Sequence, residues 1–229
     1  MRNNLHSVKA RCYRIEFLIQ FLALAMLVCF GSIALGQQVK GGEQIDNQAD
    51  HEVQTLVFVR HGEKPKQGLG LLTCRGLNRS LMLPAWFDAN FPRPDYIFAP
   101  DPSVKTTELH GDGQRYDYVR PLLTIGPTAI HLGVPIDTQL PFNDPGLLAD
   151  TLLAPQYRNA TIYLAWEHGN IVEFATVMLT RFNSNAEVPA WPNSDYETVF
   201  IFTIDWSKPD SLEFSVTSQG LGSPSATCP

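Results

Sequence analysis

The sequence predicts an α/β fold of three layers, α/β/α, around a mostly parallel central sheet. Three observations carry that prediction. The stretch TLVFVRHGEKP, residues 55 to 65, is an apolar β-branched run that stops where charge begins and is bounded by Gly62 and Pro65. The stretch ATIYLAWEHGN, residues 160 to 170, repeats the pattern, with Ile162 to Trp166 apolar and then a charge, a histidine and a glycine. Between and after them, short strand patterns alternate with helical periodicity, as a largely parallel sheet covered on both faces requires. Ligands bind at the carboxyl ends of strands in such sheets. The charged ends of both strands therefore mark the place to look.

The elements follow in order. After the first strand, KPKQGLGLLTCRG carries Gly68, Gly70 and Gly76 among polar residues and reads as loop. LNRSLMLPAWFDANF, residues 77 to 91, has helical periodicity interrupted at Pro84. Pro94 leads into DYIFAP, a short second strand. Residues 101 to 116 are polar and rich in breakers, and read as a long surface excursion of the kind that is often functional. A helix is expected over 117 to 133, with Pro121 and Pro127 near its first turn or a kink. VPIDTQ reads as a short strand and PGLLADTLLAP as a short helix. Gly169 and Asn170 open a helix over IVEFATVMLTRF, and the strands TVFIFTID and SLEFSVTS complete the sheet. Trp86, Phe87, Trp166, Phe174 and Phe182 are expected in the core.

Composition narrows the function classes. A chain of 229 residues with 44 % hydrophobic content fits one globular domain. The formal charge of −6 gives no basic field, which argues against nucleic acid as a partner while leaving room for a local anion site. Arg2, Lys9, Arg11 and Arg14 precede an apolar segment at residues 17 to 36, the layout of a signal peptide with Ala34 and Gly36 at the cleavage site. The expected division is a leader over 1–36, a flexible polar lead-in over 37–53 and the domain over 54–229. The domain is then secreted or periplasmic, or, if the leader is not cleaved, membrane-anchored and facing the extracytoplasmic side. Cys74 and Cys228 remain for the domain, either as a disulfide or as two thiols. No HExxH or cysteine/histidine spacing of a metal site is present, so neither metal nor cofactor is expected.

The chemistry gathers at the two strand ends. Arg60, His61 and Glu63 end one, and Glu167 and His168 end the other. Glycine after each histidine lets the backbone turn away and leaves the imidazole accessible. Two histidines and a guanidinium at one sheet edge suit a phosphoryl group, whose charge approaches −2 and whose oxygens match a planar fork of donors.

These residues, together with LTCRGLNRS, YVRPLLTIGPTA and AWEHGN, resemble the histidine phosphatase superfamily, also called phosphoglycerate mutase-like, over about residues 54 to 205. The resemblance implies a phosphoglycerate mutase-like fold with His61 as the nucleophile that becomes a phosphohistidine, Arg60 gripping phosphoryl oxygens and His168 stabilising charge in transfer. It implies a second arginine followed four residues later by threonine, which Arg120 and Thr124 satisfy, with Lys105 in SVKTTEL as the rival register. For the leaving oxygen's proton it points to a carboxylate beyond the third strand. Asp144 lies there, with Glu167 competing, and Asp144 before Pro145 also reads as a helix N-cap. Glu63 is expected to orient backbone or a basic neighbour at the substrate site. Neighbouring arginines should keep His61 neutral, and bound phosphate should favour protonated His168.

The expected function is an exported phosphomonoesterase that works through a covalent phosphohistidine on a phosphorylated small molecule or phosphoprotein. The alternative is a catalytically inactive phosphate-binding or interaction module on the same fold. Loss of aryl phosphate turnover in His61→Ala separates the two.

Overall fold

The computed structural model describes residues 52–229. The leader and nearly all of the lead-in lie outside these residues. β1 spans Val53–Arg60, β2 Tyr96–Phe98, β3 Thr106–Thr107, β4 Arg115–Tyr116, β5 Ile136–Asp137, β6 Thr161–Trp166, β7 Thr198–Asp205 and β8 Leu212–Ser218. The helices are α1 Cys74–Asn90, α2 Arg120–Leu132, α3 Pro145–Leu152 and α4 His168–Arg181, with a single 3-10 turn at Pro155–Tyr157.

The main sheet runs β5-β2-β6-β1-β7-β8. The pairs β5·β2, β2·β6 and β6·β1 are parallel, while β7 runs antiparallel to both β1 and β8. β1 is hydrogen-bonded on both sides and is buried over nearly its whole length, with Leu56 to Val59 its apolar centre, as suits a central strand. Strand alternation then divides its residues between two cores. Leu56 and Phe58 join Leu148, Ala149, Phe174 and Met178 under α3 and α4, with Trp166 in the same cluster. Val57 and Val59 join Leu83, Phe87, Ile125 and Ala129 under α1 and α2. Two helical layers thus enclose one sheet. Trp86 and Phe182 are partly buried and pack against these clusters.

The β1·β6 register fixes the site. Arg60 lies opposite Trp166, and the His61 amide donates to the Trp166 carbonyl at 2.9 Å, so the two strands end side by side. Arg60–His61 and Glu167–His168 consequently leave the same edge of the sheet.

Two expectations about elements need correction. α1 begins at Cys74, where Thr73 caps it by accepting from the Gly76 amide at 3.1 Å, and it continues through Pro84. Leu83 and Phe87 on either side of the proline are fully buried, so packing outweighs the one backbone bond lost. The excursion at 101 to 116 is not all loop: Thr106 pairs with Tyr116 and Thr107 with Arg115, forming a hairpin. Strands of two residues leave no alternating pattern to read.

Candidate active site

His61 is 2 % exposed and is positioned from three directions. Its Nδ1 lies 2.8 Å from the Gly62 carbonyl, which can only accept, so Nδ1 carries the proton and a neutral ring leaves Nε2 with its lone pair. The ring stands edge-on to Tyr118, 6.0 Å between centroids, and 6.3 Å from Tyr196. Gly62 is needed for a close approach: a Cβ there would sit 2.9 Å from the Gly76 carbonyl oxygen in α1. Burial, then Arg120 and Arg60, push the His61 pKa well below the ordinary 6.5, against the pull of the Gly62 carbonyl and Glu167. The imidazole is therefore neutral at neutral pH.

Arg60 and Arg120 are 2 % and 3 % exposed. Arg60 Nη1 donates to the carbonyls of Pro192, Asn193 and Asp195 at 3.3, 2.9 and 2.6 Å, and its guanidinium lies 4.1 Å over the Tyr196 ring. Burial lowers its pKa, partly offset by Tyr196 and Glu167. Arg120 Nη1 donates to Glu108 Oε1 at 2.6 Å, with its guanidinium 4.8 Å over the Tyr118 ring. In both arginines Nε is buried without a hydrogen-bond partner. Two cationic guanidiniums with donor capacity left over suit an anion.

The spacing of Arg120 and Thr124 has a structural cause. The Thr124 hydroxyl donates to the Arg120 carbonyl at 2.7 Å, one helical turn back, and accepts from the Gly62 amide at 2.9 Å. One side chain thereby ties the arginine-bearing turn of α2 to the backbone beside His61.

His168 is the first residue of α4, where helix N–H groups favour an anion. Its Nε2 lies 2.8 Å from Asn193 Oδ1, and its Nδ1 is 2.5 Å from Glu167 Oε1. Glu167 caps α4: its Oε2 accepts from the Asn170 amide at 2.8 Å and from Asn170 Nδ2 at 2.9 Å. Burial opposes its ionisation, yet His168 and the Asn170 and Gly169 amides hold its carboxyl far below the usual carboxylate range.

A pocket of ≈ 320 Å³ gathers Arg60, His61, Arg120, His168 and Glu167, with Lys64, Glu108 and Phe142 around them. Thr106, Thr107, Leu109 and His110 of the hairpin form its outer wall, with Asn170 and Asn193 opposite. Among the described residues, no three or more His, Cys, Asp or Glu side chains are grouped to hold a metal ion.

Three residues expected here lie elsewhere. Asp144 is exposed and caps α3 by accepting from the Leu147 amide at 2.9 Å, a position set by Pro145 in the first turn. Glu63 turns away to the buried Arg79, whose Nη2 donates to it at 2.8 Å and which also pairs with Glu197. Lys105 is exposed and pairs with Asp117 at 2.8 Å, so the register through Arg120 is the one that delivers a cation to the pocket.

Glu108 is the functional candidate that sequence reasoning did not single out. It is 1 % exposed and accepts from Arg120, from Lys64 Nζ at 3.0 Å and from the Gly70 amide at 3.2 Å. Burial opposes its ionisation, but Arg120 and Lys64 hold its pKa below the ordinary value. Its place in a polar excursion of mixed charge offered no signal beyond the length of that excursion. Tyr118, Tyr196 and Asn193 also went unmarked, because their roles depend on neighbours distant in sequence.

Comparison with known proteins adds a set of similar solved structures. The chain is similar to the mycobacterial glucosyl-3-phosphoglycerate phosphatase, with 13 % identity, 72 % of this chain and 97 % of that one covered, and a TM-score of 0.46. It is similar to a phosphoserine phosphatase variant from Entamoeba histolytica in complex with phosphoserine, at 15 % identity, 72 % and 96 % coverage and a TM-score of 0.44. It is similar also to the alpha-ribazole phosphatase of Shigella flexneri, at 12 % identity, 77 % and 98 % coverage and a TM-score of 0.46. No protein-family model and no curated protein sequence matches the chain.

Proposed function

We propose that this chain is a histidine phosphatase, a phosphomonoesterase that works through a phosphohistidine on His61. One observation carries the reading: a buried, neutral imidazole with a free Nε2 sits between two buried arginines, each with an unpaired Nε–H, in a pocket shared with His168. His61 Nε2 attacks phosphorus, a P–N bond forms and the P–O bond to the leaving group breaks. The leaving oxygen takes a proton from a pocket carboxyl. Water then attacks phosphorus, the P–N bond breaks, and phosphate leaves with His61 neutral again. Arg60, Arg120 and His168 stabilise the negative charge that builds on the equatorial oxygens.

The carboxyl that supplies the proton is Glu108. Glu167 is committed to capping α4 and contacting His168, and Asp144 does not line the pocket. The substrate is a phosphorylated small molecule or phosphoprotein. Residues 1 to 36, read as a leader, support a secreted or periplasmic location or, uncleaved, a membrane-anchored one facing the extracytoplasmic side, and a Cys74–Cys228 disulfide suits an oxidising compartment.

Phosphate release from an aryl phosphate tests the reading. The purified protein should turn it over undiminished in chelator, and His61→Ala should lower the rate by about a thousandfold or more. Phosphate binding without turnover in the unsubstituted chain would instead favour an inactive phosphate-binding module. Amino-terminal sequencing of protein recovered from culture medium or periplasm should find Gln37 first; recovery only from the cytoplasm would rule out export.

A further inference from the structure

Arg120 already holds an acid where a phosphoryl group would bind. The Glu108 carboxylate takes Arg120 Nη1 at 2.6 Å, Lys64 Nζ at 3.0 Å and the Gly70 amide at 3.2 Å, and it lines the same pocket as His61. We infer that Glu108 is a built-in counter-ion which a phosphoryl dianion displaces on Arg120, and that it takes up a solvent proton as it yields. The inference rests on the phosphatase reading of the site.

The geometry decides between the two ways a buried carboxylate can respond to an incoming anion. It can swing out or it can be neutralised. Swinging is opposed, because the turn that carries Glu108 is pinned by its own backbone and its carboxylate stays tied to Lys64 and the Gly70 amide. The Glu108 amide donates to the Gln114 carbonyl at 3.0 Å, the Glu108 carbonyl accepts from Gly111 and Gly113 at 2.8 and 3.1 Å, and the Asp112 amide donates to the Gln67 carbonyl at 3.2 Å. The side chain is also packed on the backbone of Gly68, where an added Cβ would lie 2.1 Å from Glu108 Cδ. Neutralisation remains. Two like charges that share one guanidinium in a buried site cannot both persist, and the weaker acid takes the proton.

The groups facing Glu108 are Arg120 from α2, Lys64 from the segment after β1, and Tyr116 from β4. The pocket also holds His61, His168, Arg60 and Glu167, and His110 from the same loop as Glu108. Arg120, Lys64 and the Gly70 amide favour its charged form. When phosphoryl oxygens take Arg120, Lys64 and the Gly70 amide are left to do so. The proton balance then closes: Glu108 gains a proton from solvent on binding and delivers it to the leaving oxygen as the P–O bond breaks. It returns as carboxylate.

Sulfate is the probe, since it is a dianion with no proton to exchange near neutral pH. Calorimetric titration of the full chain with sulfate, in buffers of different ionisation enthalpy, gives the protons taken up per sulfate bound. About one proton is expected. In Glu108→Gln the uptake should vanish, and sulfate should bind about tenfold tighter because its competitor for Arg120 is gone. Sulfate binding without proton uptake, uptake that survives in Glu108→Gln, or weaker binding by that variant overturns the inference. If the glutamine variant does not fold, His61→Ala and His168→Gln take its place: uptake that persists in both supports Glu108 as the acceptor, and uptake lost in either overturns it. Failure to bind either sulfate or inorganic phosphate would overturn the phosphatase reading as well. Turnover of an aryl phosphate with no uptake on binding would overturn only the role of Glu108.

Discussion

At the scale of single residues the site runs on which groups keep their charge. His61 sits among cations, and its protonated form is penalised first by burial and then by Arg120 and Arg60. A histidine whose folded pKa lies below its unfolded value binds fewer protons when folded, so its contribution falls as pH drops below the ordinary 6.5 towards the folded value. The acid limb of kcat/KM for an aryl phosphate, corrected for the substrate's own ionisation, should therefore lie below pH 6.5, and acid should destabilise the chain through the same window. A limb at or above the free imidazole value would contradict a cation-flanked nucleophile. Arg120→Ala should cost about 10²–10³ in kcat, as loss of one positioned charge donor does. Lysine should not restore it, because an ammonium reproduces neither the Nε–H nor the planar fork.

At the scale of elements, helix starts place Arg120, Glu167 and His168. Thr73, Asp144 and Glu167 cap α1, α3 and α4. Only Glu167 does so inside the pocket. Asp144→Ala should lower stability by about 1 kcal/mol in denaturant unfolding and leave kcat unchanged, as loss of a cap rather than of an acid. A fall in kcat with unchanged stability would return Asp144 to the reaction. The start of α1 matters differently, because Gly76 lies against the turn after β1, where a Cβ would be 2.5 Å from the Glu63 carbonyl oxygen. Gly76→Ala should force that turn aside, costing about 1–3 kcal/mol and lowering aryl phosphate turnover with it.

At the scale of the whole molecule, long-range ties hold the C-terminal tail to α1. The disulfide joins Cys74 at the start of α1 to Cys228, 154 residues away. Asn78 Nδ2 fastens the same tail, donating to the Ser225 and Thr227 carbonyls at 2.9 and 2.8 Å. Closing so long a loop restricts the unfolded chain, a stabilisation of about 5 kcal/mol in the chain-entropy account. Reduction should therefore lower the melting temperature by about 10 °C, read by circular dichroism with and without a thiol reductant. An unchanged melting temperature would mean that the bridge does not restrain the unfolded chain. Buried Arg79 ties β7 and the tail back to Glu63 through Glu197, Gln219 and the Gly222 carbonyl. Glu63 thus serves the frame, not the pocket.

The sequence by itself determined the fold class and the two strand ends, because local patterning encodes both. An apolar run that stops at charge is a buried strand meeting a site, and Arg60, His61, Glu167 and His168 each adjoin such a run. It also carried the spacing of Arg120 and Thr124, although not its cause, which is a hydroxyl bridging Arg120 to Gly62 across the fold. The tertiary structure decided what depends on distant neighbours. It separated Asp144 the cap from Glu108 the pocket acid, turned Glu63 towards Arg79, and closed the Cys74–Cys228 bridge. A carboxylate's role is set by the charges that face it. In this chain those charges come from other segments: Arg120 and Lys64 for Glu108, Arg79 for Glu63.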